Sequence, residues 1–424
     1  MSEFRGPSCQ DLDFSDLVPV ERARERLAEI VTKISAVETA DLDDVYGRIA
    51  ADNVICETNV PPHDNAAMDG YAIRASDLPA PGGRQQLALV GVAKAGQPYT
   101  GSVNAGECVQ VLTGAKMPAG ADTVVINEHC RREGDVLHFG DDTEAYRNVR
   151  AAGEDLMVGD IVIAKGTRLN AAHAGLLASL GIREVSVKAL PKVAFLSTGD
   201  ELVPVDSGAP LQEGQIFDSN RHTLKHLLSQ LPVETRDFGL VADSAKATAD
   251  ALSAATEWAD VVVTTGGASA SDADFVSKSL HELGQVAFWR IALRPGRPLG
   301  VGLVNGCLCF ALPGNPVAVA VTFYQFVQPT ILSMLEASQT LPTTFAVRAG
   351  QKFRKLVGRT EYQRGKLRQD NGQMAVFLAG KQGAGRLSSV AEADCLLILP
   401  PEQGHVDIGD WVEVQPMAAL NHLF

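Results

Sequence analysis

Positive charge is what this chain is short of. Its 424 residues carry 37 Lys and Arg against 51 Asp and Glu, a formal charge of −14 at pH 7. A field of that sign repels the phosphate backbone, which argues against a nucleic-acid binder. Any anionic ligand must therefore be caught by a local cluster of cations or through a metal ion. Cysteine is sparse: seven residues (9, 56, 108, 130, 307, 309, 395), odd in number and without a C-x-x-C pair. They signal neither a disulfide framework nor a zinc site, and reduced core thiols are expected. No stretch reaches the roughly 18 to 20 uninterrupted apolar residues that cross a bilayer. MSEFRGPSCQDLDFSDLVPV has no basic or apolar leader region, so a cytoplasmic protein with no membrane partner is expected. Neither a Walker A pattern nor G-x-G-x-x-G occurs, which leaves an ordinary P-loop and a dinucleotide fold without support. His222 and His226 are four apart but lack the carboxylate of H-E-x-x-H, and the histidines read as surface residues.

What is present is a chain long enough for about three domains. VERARERLAEIVTKISA has the mixed three and four spacing of a helix over Val20 to Ala36, and a short helix is expected from Asp41 to Ile49. Short alternating runs punctuated by glycine, such as LALVGVAKAG, ECVQVLTGA and DTVVINEHC, mark residues 53–148 as an inserted, mainly-β unit. Residues 15–52 and 149–190 together form a discontinuous linker domain of helical and extended segments. From Lys192 strands alternate with helices of ten or more residues, as in KVAFLS, NRHTLKHLLSQL, VETRDFGL and DVVVTT. That order implies a mostly parallel sheet covered on both faces, a three-layer α/β domain over 191–338. It closes with a hairpin on Asn305-Gly306 and a long apolar helix from about Pro316 to Leu335. Residues 339–424 return to short strands, read as a small β-barrel or sandwich.

Ligands of open α/β sheets sit at the C-terminal ends of the strands. Three such ends here are acidic: LSTGDEL places Asp200 and Glu201, IFDSN places Asp218 and Asn220, and TTGGASASDADF places Asp272 and Asp274. Asp218, Ser219 and Asp243 also read simply as helix caps. In the third, Gly266 and Gly267 bare backbone N–H groups that form an anion nest, with Ser269 beside them. A nest next to carboxylates makes sense if Mg²⁺ bridges a phosphate. RIALRPGRPLG then interleaves Arg290, Arg294 and Arg297 with prolines, either a solvated run or forks for a tetrahedral oxyanion. LPGNPVAV runs Gly314 and Asn315 into Pro316, an N-terminal anion position of the long helix. PPHDNAAMDGYA, around Asp64, Asn65 and Asp69, is the other unusual segment.

Taken together, PPHDNAAMDGYA, LTGAKMPAGADTVV, GEDL, STGDEL, GQIFDSN, TTGGASASDADF, RPGRP and LPGNPVA resemble the molybdopterin molybdenumtransferase family, which includes bacterial MoeA and the equivalent domain of gephyrin. The match runs in order from about residue 15 to the C-terminus. The resemblance implies a four-part α/β multidomain subunit, with linker domain, inserted β domain, central α/β domain and C-terminal β-barrel, in a homodimer. It also implies insertion of molybdenum from molybdate into adenylylated molybdopterin, with Mg²⁺-dependent release of AMP. The pterin and the oxyanion are then the small-molecule partners, and an upstream adenylyltransferase is a candidate protein partner. The positions matching family functional residues are Asp69, Thr113, Asp155, Glu201, Asp243, Asp274, Arg290, Arg294, Arg297 and Arg364, with Glu201 and Asp274 as metal ligands. Asp69, Thr113 and Asp155 lie outside the α/β domain, which fits a site completed by a second subunit. The chain departs from the family where lysines are usual at Arg290, Arg294 and Arg297, glycine at Ser271, and serines at Ala318 and Ala384. Two alternatives share part of the pattern. A molybdopterin adenylyltransferase would leave the flanking domains unexplained, and a non-catalytic scaffold would not need Asp69, Glu201 and Asp274.

Overall fold

The computed structural model describes residues 17–267 and 275–417, apart from the side chains of 288 and 289. Helix α1, Val20–Ile30, is shorter than its periodicity suggests. Only Val20, Ala23 and Leu27 of its residues are buried, and beyond Ile30 the backbone is extended at Val31. The expected second helix reduces to one 3₁₀ turn, Leu42–Asp44, because Asp41 caps it by accepting from Asp43 N and the chain then enters bridges at Ile49 and Ala50.

The linker domain is held by two antiparallel pairs, Val37–Asp41 with Glu184–Lys188 and Val54–Ile55 with Ile161–Ile163, around helix α2, Ala171–Ser179. Between its two halves the inserted domain forms a six-stranded sheet. Its strands run, side by side, Thr123–Ile126, Gly70–Ile73, Glu107–Val111, Gln85–Ala93, Val136–Phe139 and Cys130–Glu133.

The central sheet has six strands: β1 Lys192–Thr198, β2 Glu234–Val241, β3 Val261–Thr265, β4 Gly284–Arg290, β5 Pro298–Val304 and β6 Cys307–Leu312. Their order is β2-β1-β3-β6-β5-β4, and only β5 runs against the others. The period-two alternation of a strand assigns its residues to two cores. Val193, Phe195, Val261, Val263, Leu308 and Phe310 face α1, helix α3 (Asn220–Leu228) and helix α6 (Pro316–Met334). Ala194, Val262, Cys309 and Ala311 face helices α4 (Ala245–Trp258) and α5 (Phe275–Leu283). Burial on both faces explains why VVVTT is apolar at every position but its last two, and why all five residues are buried. The expected hairpin is present between β5 and β6, with Asn305 and Gly306 at φ 53° and 82°, the left-handed values a two-residue primed turn needs.

Helix α6 contains a π-helical turn at Phe323–Val327. It is long and apolar enough to cross a membrane, but 89% of its apolar window is buried inside the protein, as befits a core helix. The C-terminal domain closes into a five-stranded barrel, because Thr360–Asp370 pairs with both Gln373–Leu378 and Cys395–Leu399. The six described cysteines are all free thiols.

Candidate functional site

Because five strands of the central sheet point the same way, their C-terminal ends form one row. Following strand order, that row is a charge gradient. β2 leads to Asp243 and β1 to Asp200 and Glu201, β3 and β6 lead to the glycine turns at Gly266 and Gly314, and Arg297 and Arg290 stand at β5 and β4.

At the acidic edge, the Asp243 backbone N–H donates to Asp200 Oδ1 at 3.0 Å. Asp243 does not cap the following helix; Ser244 does, accepting from Ala247 N at 3.2 Å. Burial raises the Asp243 carboxyl above its ordinary value, and the negative charges of Asp200 and Glu201 add to the rise. An edge short of counter-charge in this way suits a divalent cation, which typically takes one or two protein carboxylates and completes its shell with phosphate and water. Among the described residues there is no group of three or more His, Cys, Asp or Glu placed to hold a metal by itself. Ser269, Asp272 and Asp274 lie outside the described residues. Asp218 behaves as the cap it resembles, accepting from Arg221 N at 3.2 Å.

In the middle of the row the backbone approaches itself too closely for any side chain. A Cβ on Gly266, at φ 85°, would lie 2.3 Å from the Thr198 carbonyl oxygen. A Cβ on Gly267, at φ 66°, would lie 2.4 Å from Val276 Cγ2. Gly314 abuts the Gly266 Cα, and its carbonyl accepts from Asn220 Nδ2 at 2.7 Å. Two buried oxygens here, Thr198 Oγ1 and Asn220 Oδ1, have no hydrogen-bond partner within the protein. Buried polar atoms are nearly always paired, so these mark where a ligand donor belongs. Thr198 is a site residue that sequence reading does not single out; its only signal is the glycine two strands' length away that must pass over it.

At the basic edge, Asn315 caps α6 without a side-chain hydrogen bond, with Pro316 as its first residue. The C-terminal barrel supplies what the cap does not: Val317 N donates to the Ala384 carbonyl at 3.3 Å. Arg364 sits behind that loop with 1% of its surface exposed, donating from Nε to Ser389 Oγ at 3.1 Å and from Nη2 to the Gly383 carbonyl at 3.2 Å. Burial lowers its guanidinium to about 10, which still leaves it charged at neutral pH. Arg294 lies 3.6 Å from Glu361 across a short parallel pairing of Leu293–Arg294 with the barrel. Arg290 and Arg297 are half-buried on adjoining strand ends, register partners being Arg290 and Pro298.

A second group forms where the linker and inserted domains meet. Asp69 Oδ1 accepts from both the backbone N–H and the hydroxyl of Thr113, each at 2.7 Å, and these bonds hold its carboxyl below the usual value. Asp155 N donates to the Val60 carbonyl at 2.9 Å, and Asp64 Oδ1 accepts from Ala152 N at 2.8 Å. PPHDNAAMDGYA, LTGAKMPAG and GEDL thus converge, bringing Asp69, Thr113 and Asp155 into one neighbourhood. The hydrogen bonds of this group stay within it and do not reach the sheet end.

Three family models cover the chain in order. The MoeA N-terminal region (domain I and II) matches residues 18–181, the probable molybdopterin binding domain residues 194–333, and the MoeA C-terminal region (domain IV) residues 346–417. The molybdopterin molybdenumtransferase of Haemophilus influenzae is 39% identical over 412 residues, 96% of this chain and 100% of that protein. Gephyrin of Dictyostelium discoideum is 30% identical over 459 residues, 96% of this chain and 63% of that protein. The crystal structure of the molybdopterin biosynthesis MoeA protein from Pyrococcus horikoshii OT3 superposes with a TM-score of 0.82 at 28% identity, covering 94% of this chain and 100% of that one.

Proposed function

The chain belongs to the molybdopterin molybdenumtransferase family, and on that premise we propose that it inserts molybdenum from molybdate into adenylylated molybdopterin, releasing AMP, in the cytoplasm and as a homodimer. The enzyme class and its place in molybdenum cofactor biosynthesis follow from the family. The division of labour among residues is our reading, and the charge gradient along the sheet end carries it.

The pyrophosphate of the substrate lies over the Gly266, Gly267 and Gly314 turns, where backbone N–H groups approach closely, with Ser269 and Asp272 on the same loop. Mg²⁺ would be held by Glu201 and Asp274, with Asp243 and Asp200 beside them, and when bound it neutralises charge on the phosphate oxygens. Glu201 and Asp243 fix the adenylyl end. Arg290, Arg294 and Arg297, with Asn315 and the loop braced by Arg364, receive the small oxyanion at the basic end. Pyrophosphate cleavage places charge on bridging and terminal oxygens, and preorganised donors aimed there lower its barrier. Asp69, Thr113 and Asp155 act from the second subunit. The separation of their hydrogen-bonded group from the sheet end supports that arrangement.

The test incubates the purified protein with adenylylated molybdopterin, Mg²⁺ and molybdate or tungstate, following AMP release and metal retention. Turnover that needs an oxyanion and is severely slowed by Asp274→Asn is expected; AMP release indifferent to both oxyanion and Asp274 overturns the reading. Mixing inactive Asp69→Ala with inactive Asp274→Ala subunits restores part of the activity if sites are shared. Complete subunit exchange with no recovery refutes the shared site.

A further inference from the structure

At the opposite end of the central sheet, beside the residues that lead into β1 and β2, the linker, central and barrel domains enclose a cavity of about 800 Å³. Its volume falls within the range of small-molecule sites. Among the described residues lining it there are two arginines, Arg48 and Arg168, and no Asp or Glu, in a chain whose formal charge is −14.

Its donors are fixed in place. Arg24 Nη2 donates to Gln325 Oε1 at 2.5 Å, and Gln325 Nε2 donates to Gln415 Oε1 at 2.6 Å. That relay sets the Gln415 amide so that Nε2 is a donor on the cavity wall, 1% exposed and with no partner in the protein. Arg48 is alike. Its Nη2 is engaged by Glu38 and by the Lys188 carbonyl, while its buried Nε has no partner. Arg168 donates to the Gly47 and Gln230 carbonyls, so no carboxylate neutralises it through those bonds. Flat surfaces complete the wall: the Tyr46 ring, 75% exposed, with Pro232 and Pro342.

We infer that this cavity is a second ligand site, taking a phosphorylated flat aromatic anion of mononucleotide size. The anionic group meets Arg168, Arg48 Nε and Gln415 Nε2, which offer donors and no competing acceptor charge. The aromatic body lies against Tyr46 and the prolines. The site is separate from the reaction proposed above and needs no turnover to be detected.

Photolabelling with 8-azidoadenosine monophosphate, followed by peptide mapping, tests it. Saturable label is expected on the peptides carrying Tyr46 or residues 229–233, displaced by AMP and at least about tenfold less well by adenosine, since charge-assisted bonds to the phosphate are lost. Arg168→Gln weakens labelling about tenfold or more for the same reason. Tyr46→Ser, at an exposed position that folding does not need, weakens it as well and decides the matter should Arg168→Gln disturb the domain contact. Label confined to the C-terminal end of the sheet, adenosine competing as well as AMP, or labelling indifferent to Tyr46→Ser overturns the proposal.

Discussion

Replacing Gly266 by alanine tests whether the turn between β3 and its loop is held by close backbone approach. Two effects oppose the change. At φ 85° an L-residue occupies the left-handed region, which costs about 1 to 2 kcal/mol. Its Cβ would also stand 2.3 Å from the Thr198 carbonyl and 2.9 Å from Thr198 Oγ1, so β1 and β3 must part by roughly an ångström at their ends, straining the packed sheet by about 2 to 3 kcal/mol. Gly306→Ala is the internal control: it lies in the same sheet at φ 82°, with nothing within 4 Å of its would-be Cβ. It carries the dihedral cost alone, and the loss of unfolded-state freedom is the same for both alanines. Domains of a multidomain chain need not unfold together, so a global midpoint is the wrong observable. Hydrogen exchange read in the peptides flanking each substitution reports local opening. The opening free energy of β1 and β3 in Gly266→Ala is expected to fall by about 2 to 3 kcal/mol more than that of β5 and β6 in Gly306→Ala. Equal losses would mean that close approach to Thr198 is not what demands glycine there.

Lys188, buried, pairs with Glu336 and donates to the Ile34 carbonyl at 3.0 Å, tying the linker domain to the end of α6. Lys188→Met should cost about 1 to 3 kcal/mol by hydrogen exchange at neutral pH. Lys188 holds the Glu336 carboxyl below its ordinary value, so that contribution is present above about pH 4.3, is lost as pH falls through the lowered value, and the gap between variant and wild type should then close. Thr113→Val removes one of the two hydrogen bonds that depress Asp69, and carboxyl-carbon NMR should show the Asp69 titration moving up toward the usual range while the backbone bond retains part of the shift. Ala318→Ser with Ala384→Ser adds hydroxyls at the start of α6, and titration should show a changed molybdate affinity or molybdate-to-tungstate ratio with pterin binding unaltered; identical values mean that the anion does not rest there.

The central sheet was legible because its signals are local and agree: apolar runs, helices of sufficient length, and an Asn-Gly turn between β5 and β6. Helix ends were not. Val20 to Ala36 keeps a helical spacing in sequence, but past Ile30 no packed surface rewards the helix, and the chain leaves it to reach the Val37–Asp41 pairing. At the site, types of residue were readable while their company was not. Asp69 and Thr113 stand 44 positions apart, and nothing local announces that one carboxylate accepts both bonds. Arg364 reads as a substrate-facing fork, yet it is buried behind a loop, because a closed barrel turns that position of its strand inward. Thr198 escapes notice altogether, since its significance lies in a backbone crossing that only the three-dimensional register creates.

The barrel touches the basic end of the site on two sides. Through Leu293–Arg294 it pairs with the segment that carries the arginines, and through Ala384 it caps the start of α6. Both contacts are hydrogen bonds from one rigid closed sheet, and Arg364 links the cap loop to that sheet through Gly383 and Ser389. The acidic edge has no such tie: Asp200, Glu201 and Asp243 are set by β1, β2 and their own loops. A displacement of the barrel against the central domain would therefore move Arg294 and open the α6 N-terminus together, while the carboxylates and the glycine turns kept their places. The two ends of the charge gradient are thus mechanically independent. Grip on the small oxyanion depends on how the domains sit, whereas the phosphate-facing half is fixed by the sheet alone.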